Sequence, residues 1–242
     1  VPVIIAGGTL AYTENGSGLA IDTTITISDI DDTKLSGSSI TISSGFTTGD
    51  VLTIETQNGI SGTFDSAAGV LTISGTASLA NYETALRSIT YHSTSEDPTL
   101  TSSSRTITWV VTDANSEGLG AQTSASESSS ITITPINDVP VVTAGDTLTY
   151  TENGSGLAID NTITISDPDD VQLTQAIITI SSGFATGDIL TFTSQNGITE
   201  SSNSAGVLII SGTASLANYE SALRSITYHS TSEGPAVTSP SR

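Results

Sequence analysis

The chain repeats itself, and this repeat constrains the fold more than any other feature of the sequence. Residues 12–60 match residues 150–198 at 36 of 49 positions, and residues 69–98 match residues 206–235 at 27 of 30 positions. The offset between the copies is 138 residues, which is a usual length for one domain. We therefore expect near-identical modules in series, each of which buries its own core.

The predicted boundary between the modules lies at the end of the first copy. A complete module is expected at residues 1–138 and a second one at residues 139–242. The second copy stops at Arg242, the counterpart of Arg105, and so lacks the counterparts of the last strands. The sequence begins with Val1, so we expect a piece of a longer chain. The missing strands then come either from its continuation or from a neighbouring subunit.

Alternation of apolar and polar residues predicts short β-strands throughout each copy. In the first copy the alternating segments are residues 24–28, 39–43, 51–54, 70–73, 106–111 and 130–133. Turn-forming residues such as Asn58-Gly59 and Ala68-Gly69 separate them. Short strands at regular spacing are typical of an all-β sandwich.

One segment of each copy has helical spacing instead. Leu79, Tyr82 and Leu86 recur every three or four residues, and Ser78 stands where a helix N-cap is expected. We predict a short helix there, acting as a packed corner of the sandwich, and the same helix from Leu216 onward in the second copy.

Acidic residues outnumber basic ones so strongly that several functions are excluded. Asp and Glu total 25 and Lys and Arg total 5, which gives a formal net charge of -20. Nucleic acid would be repelled, and so would an anionic membrane surface. No apolar stretch approaches the roughly 20 residues that a membrane-spanning helix needs, so we expect no direct membrane insertion. Dissolved cations are the natural partners of such a surface.

The acidic residues cluster beyond strand ends. Asp29, Asp31 and Asp32 follow a predicted strand, and Asp113 follows another. Three neighbouring carboxylates repel one another unless a cation lies between them, and oxygen ligands of this kind suit Ca²⁺. The chain has no Cys and 2 His, which makes a zinc or copper site a poor match. We therefore expect bound calcium ions.

The order of these motifs resembles the cadherin-like tandem repeats of large bacterial surface adhesins, which are related to RTX and VCBS-type repeat proteins. The resemblance rests on Thr13-Glu14-Asn15 near the module start, on Asp29-Ile30-Asp31-Asp32, on Val111-Thr112-Asp113 and on Asn137-Asp138-Val139-Pro140. It implies an all-β fold of tandem immunoglobulin-like or cadherin-like β-sandwich modules, with the short helical corner added.

In that family calcium lies between modules, and the resemblance implies two groups of ligands here. The ion between the two copies would be held by Glu14, Asn137, Asp138, Asp167 and Asp169, with Asp170 as a further ligand. The remaining ligands would serve junctions with preceding and following modules, and these are Asp29, Asp31, Asp32, Asp113 and Glu152.

Catalysis is not expected from this sequence. Ser93 and Glu96 are sequence neighbours of His92, but no Gly-x-Ser-x-Gly nucleophile elbow surrounds any Ser. We predict no enzyme activity.

The function implied is a calcium-rigidified structural spacer of an extracellular adhesin or surface fibre, serving cell adhesion or biofilm attachment. It would be secreted or held at the cell surface, with calcium ions and adjacent identical repeats, or neighbouring subunits, as its partners. Two alternatives stay open. One is a module that binds a glycan or a protein, and the other is a filament subunit completed by strands from its neighbour.

Overall fold

A computed structural model describes residues 1–116, 118, 120–234 and 241 of the chain. The chain divides into two compact units, Val1–Asn137 (unit 1) and Asp138–Arg242 (unit 2). Each unit is described here by itself.

Unit 1 is built almost wholly from strands, as the alternating sequence predicts. In chain order its elements are β1 (Val3–Ile5), β2 (Thr9–Thr13), β3 (Leu19–Ala20), β4 (Thr26–Ser28), β5 (Lys34–Ser44), β6 (Asp50–Thr53), β7 (Ser61–Asp65), β8 (Val70–Ser78), α1 (Leu79–Arg87), β9 (Thr90–Ser93), β10 (Ser104–Asp113) and β11 (Glu127–Thr134).

The strands of unit 1 form two main sheets and a smaller pair. The larger sheet has the order β2-β11-β10-β5-β8-β7, and the smaller sheet has the order β3-β9-β6. A two-stranded ladder joins β1 and β4. The ladder between β11 and β2 is parallel, whereas every other ladder described in unit 1 is antiparallel. The central strand β5 is therefore hydrogen-bonded on both sides, by β10 and by β8.

Side chains from both sheets meet in one core. Trp109 on β10 and Ile40 on β5 come from the larger sheet, and Leu52 and Tyr91 come from the smaller one. All four are at most 1 % exposed. The indole Nε1 of Trp109 donates to Ser129 Oγ at 2.9 Å, which satisfies its polar atom. The all-β sandwich that the sequence predicts is confirmed.

The predicted helical corner is confirmed as α1. Ser78 caps it, because its Oγ accepts a hydrogen bond from Asn81 N at 3.2 Å. Tyr82 points into the core and its hydroxyl donates to Gly75 O at 2.6 Å. Gly75 has a φ of +126°, and a Cβ there would lie 2.1 Å from Gly59 O, so the close approach requires glycine.

Unit 2 repeats part of this pattern. Its described elements are β12 (Val141–Thr143), β13 (Leu157–Ala158), β14 (Thr164–Ser166), β15 (Gln172–Thr179), β16 (Asp188–Thr191), β17 (Thr199–Ser204), β18 (Val207–Ser215), α2 (Leu216–Arg224) and β19 (Thr227–Ser230). They form the sheets β12-β14, β13-β19-β16 and β15-β18-β17. The helix α2 begins after Ser215, which accepts from Asn218 N as Ser78 does from Asn81 N.

Unit 2 differs from unit 1 at its central strand. β15 corresponds to β5 but pairs only with β18 among the described residues. Ile178 is half-buried, whereas its counterpart Ile40 is fully buried. Residues 147–151, the counterparts of β2, form no strand. The described part of unit 2 contains no equivalent of β10 or β11. Within it, β15 and residues 147–151 therefore lack the strand partners that β5 and β2 have in unit 1.

Within the described residues, the helices are too short to cross a membrane.

Candidate metal centre

Three carboxylates of unit 1 converge at one end of the sandwich. Asp29 and Asp32 lie in the loop between β4 and β5, and Asp113 is the last residue of β10. One carboxylate oxygen from each lies within 4.8 Å of one from each of the others. The structure thus brings together residues that are more than 80 positions apart in the sequence.

The strand register explains how Asp113 reaches this place. Along β10 every second residue is buried, so Ile107, Trp109 and Val111 face the core. Asp113 continues the same alternation by one more step and is 2 % exposed. The carboxylate therefore occupies an inward position at the end of the strand, where the apolar core stops.

Backbone N–H groups hold one oxygen of each carboxylate. Ser116 N donates to Asp32 Oδ1 at 2.9 Å. Asp113 Oδ1 accepts from Asn115 N at 3.1 Å and from Gln122 N at 3.0 Å. These bonds orient the side chains of Asp32 and Asp113. The Oδ2 of each of these two residues accepts no hydrogen bond from the described residues.

Asp29 carries the most informative atom of the group. Its side chain is 0 % exposed, and its Oδ1 accepts from Asp31 N at 3.3 Å. Its Oδ2 is buried and has no hydrogen-bond partner. A buried oxygen of this kind is costly unless a cation or a donor satisfies it. The cluster therefore presents an unsatisfied anionic oxygen beside two further carboxylates.

Mutual repulsion within this group is substantial. Two unit charges within 4.8 Å of each other repel by about 3 kcal/mol or more at an effective dielectric constant of about 20. Within the described residues, the only cation within 4 Å of these carboxylates is the exposed α-amino group of Val1, 3.5 Å from Asp29 Oδ1. A chain with residues before Val1 would have an uncharged peptide N–H there.

Asp31 is placed differently from the other predicted ligands of this loop. Its side chain is 58 % exposed and it is not part of the three-carboxylate group. Its Oδ1 lies 3.2 Å from the Val1 α-amino group. A side-chain hydrogen bond with Asp29 lowers the pKa of Asp31 most, and the hydrogen bond from that amine lowers it further. Asp31 in turn raises the pKa of the amine.

The remaining predicted ligands of unit 1 are Glu14, which follows β2, and Asn137, which lies in the segment after β11. Glu14 follows β2 and is 1 % exposed, and its Oε2 accepts from Ile136 N at 2.8 Å. Its backbone N donates to Thr134 O at 3.0 Å, so Glu14 is held against the segment that follows β11. Asn137 ends unit 1 and is exposed.

In unit 2 the equivalent loop keeps part of this arrangement. Asp167 Oδ1 accepts from Asp169 N at 3.1 Å and from Asp170 N at 3.0 Å. Asp138 N donates to Asp169 Oδ2 at 2.5 Å. Asp170 is exposed, and so is Glu152 in the turn that corresponds to that of Glu14. The described residues of unit 2 do not by themselves form a three-carboxylate group like that of unit 1.

Two other buried carboxylates of unit 1, Asp22 and Asp50, were not singled out by the sequence. Asp22 Oδ2 accepts from Gly7 N at 2.9 Å and Gly8 N at 2.7 Å, and from Ser129 Oγ at 2.7 Å. Asp50 binds Arg105 through Nε at 2.6 Å. Every carboxylate oxygen of these two residues accepts a hydrogen bond from a protein group. Asp22 and Asp50 therefore have a structural role, in which they link separate segments of the sandwich. The spacing Asp22-x-Thr24 was the available signal, since Asp22 Oδ1 accepts from Thr24 N.

The residues around His92 do not form a catalytic arrangement among the described side chains. Ser93 is buried, and its Oγ accepts from Ser95 N at 3.2 Å. The hydrogen bonds of the described residues include none between His92 and either Ser93 or Glu96. The expectation that the protein is not an enzyme stays a prediction.

Comparison with known proteins gives one partial relative. No family model matches the chain. Halomucin of Haloquadratum walsbyi (strain DSM 16790 / HBSQ001) is 40 % identical over 86 residues, which is 33 % of this chain and 1 % of halomucin. The chain therefore spans a very small part of the relative that it matches.

Two solved structures resemble the chain at low identity. Mouse cadherin-23 EC22-24 has a TM-score of 0.29 and 14 % identity, and the match covers 89 % of this chain and 55 % of that one. The zebrafish RET cadherin-like domains 1 to 4 have a TM-score of 0.25 and 10 % identity, covering 85 % and 38 %. At these TM-scores the likeness carries no argument about function. The all-β sandwich of the chain itself is the firm result.

Proposed function

We propose that the chain is part of an extracellular adhesion-type repeat protein whose modules are rigidified by calcium. The observation that carries this proposal is the buried, unpartnered Oδ2 of Asp29 beside Asp32 and Asp113. Ca²⁺ takes six to eight oxygen ligands and accepts carboxylates in mono- or bidentate mode. Three carboxylates that already share one point supply the core of such a site, and backbone carbonyls or water complete it.

A cation at this point would connect two parts of unit 1. Asp29 and Asp32 belong to the β4–β5 loop, while Asp113 ends β10. A ligand that binds only the folded state stabilises it by mass action, by about 2.7 kcal/mol when its free concentration is about 100 times Kd. Calcium would thus fix a loop to the end of a core strand and remove the repulsion among the carboxylates.

The ligands expected from the resemblance at the junction of the copies remain part of the proposal. They are Glu14, Asn137, Asp138, Asp167, Asp169 and Asp170, with Asp31 and Glu152 at the outer ends. The burial of Glu14 and the hydrogen bond between Asp138 and Asp169 are compatible with this role. Repeated modules with such ions would serve as spacers in a secreted or surface-anchored fibre for adhesion. The surface role rests on the resemblance and on the partial likeness to halomucin.

The decisive experiment replaces Asp29 with Asn and follows unfolding of unit 1. Trp109 is the only Trp in the chain, so its fluorescence reports on unit 1 alone. In chelator, Asp29→Asn should raise the unfolding midpoint, because it removes a buried charge whose Oδ2 has no partner and which repels two neighbouring carboxylates. In calcium the same variant should show a smaller stabilisation than the unaltered chain, and calorimetric titration should show one site fewer.

The matched control is Asp65→Asn, because Asp65 lies in an exposed turn and is not among the proposed ligands. It changes the net charge equally and should keep the calcium site of unit 1. The proposal fails if both variants and the unaltered chain respond to calcium alike.

A second candidate function is favoured by the open edge of β15. In unit 1 the equivalent strand β5 pairs with β10, whereas the described residues of unit 2 offer β15 no such partner. Ile177 is 60 % exposed and Val171 is 78 % exposed. A subunit of this kind would be completed by a strand from its neighbour. A chain that stays monomeric with rising concentration, as measured by sedimentation, would count against this alternative.

A further inference from the structure

The same turn occurs once in each unit and carries a modification signal. Residues 12–18 and 150–156 are identical, and each contains Asn-Gly-Ser, at Asn15 and at Asn153. The triplet Asn-x-Ser/Thr is the acceptor signal for N-linked glycans when it lies on the surface of an exported protein. In a chain rich in Ser and Thr this triplet arises readily by chance. The exposure and conformation of each triplet therefore decide whether it can act as a glycan acceptor.

Each Asn stands at the tip of its turn. Gly16 N donates to Thr13 O at 3.1 Å, which closes the first turn, and Gly154 N donates to Thr151 O at 2.9 Å, which closes the second. Asn15 has a φ of 61° and Asn153 a φ of 59°, the left-handed conformation that Asn tolerates better than most residues. Both side chains therefore project from a closed turn.

In each copy a buried or half-buried Tyr hydroxyl anchors the turn by a hydrogen bond, while the Asn of the turn stays accessible to solvent. The hydroxyl of Tyr12 donates to Gly16 O at 2.8 Å, and Tyr150 makes the same bond to Gly154 O at 2.8 Å. Asn15 and Asn153 are exposed, and their amides make no hydrogen bond with the described residues. By contrast, Asn115 uses its Oδ1 to accept from Gly120 N.

The hydroxyl position of each triplet is also open. Ser17 and Ser155 are exposed and make no side-chain hydrogen bond with the described residues. A transferase that reads both the Asn and the Ser can reach them from solvent without unfolding the sandwich. A glycan attached there would project into solvent and displace no buried group.

We propose that Asn15 and Asn153 are acceptors for an N-linked glycan, one in each copy. An oligosaccharyltransferase would form a bond between the Asn Nδ2 and the anomeric carbon of a lipid-linked oligosaccharide. The bond from that carbon to the lipid diphosphate breaks, the diphosphate leaves with the electron pair, and a base of the transferase takes the Nδ2 proton. The inference rests on the proposed extracellular location.

The chain contains its own control positions. Asn58 and Asn196 are also exposed, followed by Gly and left-handed, with φ of 51° and 52°. The residue two positions on is Ile60 or Ile198, which is fully buried and has no hydroxyl. Asn58 and Asn196 share exposure, a following Gly and a left-handed backbone with the proposed acceptors but lack the triplet, so they should stay unmodified.

The test is to export the whole 242-residue chain from cells that have an N-glycosylation system and to measure intact and peptide masses. We expect one glycan on Asn15 and one on Asn153. Asn15→Gln and Asn153→Gln should each remove one, and Ser17→Ala should remove the glycan from Asn15 although the Asn is kept. Ser17→Thr should retain it.

A reporter glycoprotein made in the same cells shows that the transferase is active. With the reporter modified, a chain that lacks the glycan at either Asn overturns the proposal, because the two turns have the same sequence and geometry. Modification of Asn58 or Asn196 would overturn it as well. Calcium titration of the same preparation tests the proposed metal role separately, so failure of one proposal is distinguishable from failure of the other.

Discussion

At the scale of single residues, unit 1 uses its few cations and its buried carboxylates in different ways. Arg105 and Asp50 are both fully buried and form a two-bond pair, with Arg105 Nε to Asp50 Oδ2 at 2.6 Å and an Arg105 terminal nitrogen to Asp50 Oδ1 at 3.1 Å. Tyr91 also donates its hydroxyl to Asp50 at 2.6 Å. Burial, followed by this hydrogen bond, raises the pKa of Tyr91 well above its usual value. Asp29 lacks such partners, and this contrast separates a structural carboxylate from a candidate metal ligand.

Replacement of Asp50 with Asn should therefore destabilise unit 1 strongly. It leaves the Arg105 guanidinium buried without its counter-charge, and breaking a buried pair in this way costs about 3–5 kcal/mol. Urea unfolding followed by Trp109 fluorescence measures the loss. The control Asp65→Asn removes a carboxylate from an exposed turn. A loss for Asp50→Asn no larger than that of the control would contradict the assigned role.

Asp22 should make the stability of unit 1 depend on pH. Burial raises the pKa of its carboxyl, but hydrogen bonds led by Gly7 N, Thr24 and Ser129 outweigh burial and hold it well below its usual value. Its folded pKa is below the unfolded one, so its contribution is present above about pH 4 and is lost as the pH falls further. The difference in Tm between the unaltered chain and Asp22→Asn should shrink from about pH 6 to about pH 3. A constant difference would show that Asp22 does not carry this dependence.

At the scale of elements, the two copies show that one sequence takes different structures according to its neighbours. Residues 9–13 form β2 because β11 supplies a parallel ladder. Residues 147–151 are nearly the same in sequence, yet they form no strand. Tyr12 is fully buried, whereas Tyr150 is only half-buried, although both pack edge-on against a Tyr of the strand β9 or β19. Strand formation here is a property of the sheet and not of the segment.

Hydrogen exchange should detect this difference within a single sample. Amides of β2 are expected to exchange slowly, because the ladder to β11 must open first. Amides of residues 147–151 should exchange much faster, since they have no ladder partner in the described residues. The helices α1 and α2 provide a matched internal reference, with the same cap in both units. Equal protection of the two segments would contradict the assignment.

At the scale of the whole molecule, charge is the dominant physical constraint. A formal net charge of -20 on 242 residues produces repulsion that 5 basic side chains cannot offset. Cations that bind carboxylate groups would relieve this repulsion at specific points, and added salt would screen the rest. The whole chain is therefore expected to depend on its ionic surroundings for stability.

Chelation should lower the melting temperature and, if ions stiffen the array, shorten the longest dimension in small-angle scattering. The physical reason is that the carboxylates then repel one another and lose a ligand that binds only the folded state. Monovalent salt at matched ionic strength serves as the control, because it screens charge without bridging carboxylates. A scattering profile that is unchanged in chelator would refute the rigidifying role, while leaving calcium binding by Asp29 as a separate question.

The sequence by itself determined the repeat, the all-β class, the capped helix after Ser78 and the acidic loop after β4. Each of these follows from local patterns, namely identity at a fixed offset, period-two alternation, capping residues and clustered carboxylates. Strand bounds were less accurate: β5 begins at Lys34, well before the alternating segment that predicted it.

Only the tertiary structure decided which carboxylates meet. Asp29 and Asp32 converge with Asp113 while Asp31 stays exposed, because an irregular loop does not follow the period-two rule and β10 comes from a distant part of the chain. Tertiary structure also decided that Asp22 and Asp50 are satisfied and Asp29 Oδ2 is not, since that depends on which N–H groups the folded backbone brings near. Sequence patterns report local periodicity, whereas a metal site depends on the three-dimensional meeting of distant segments.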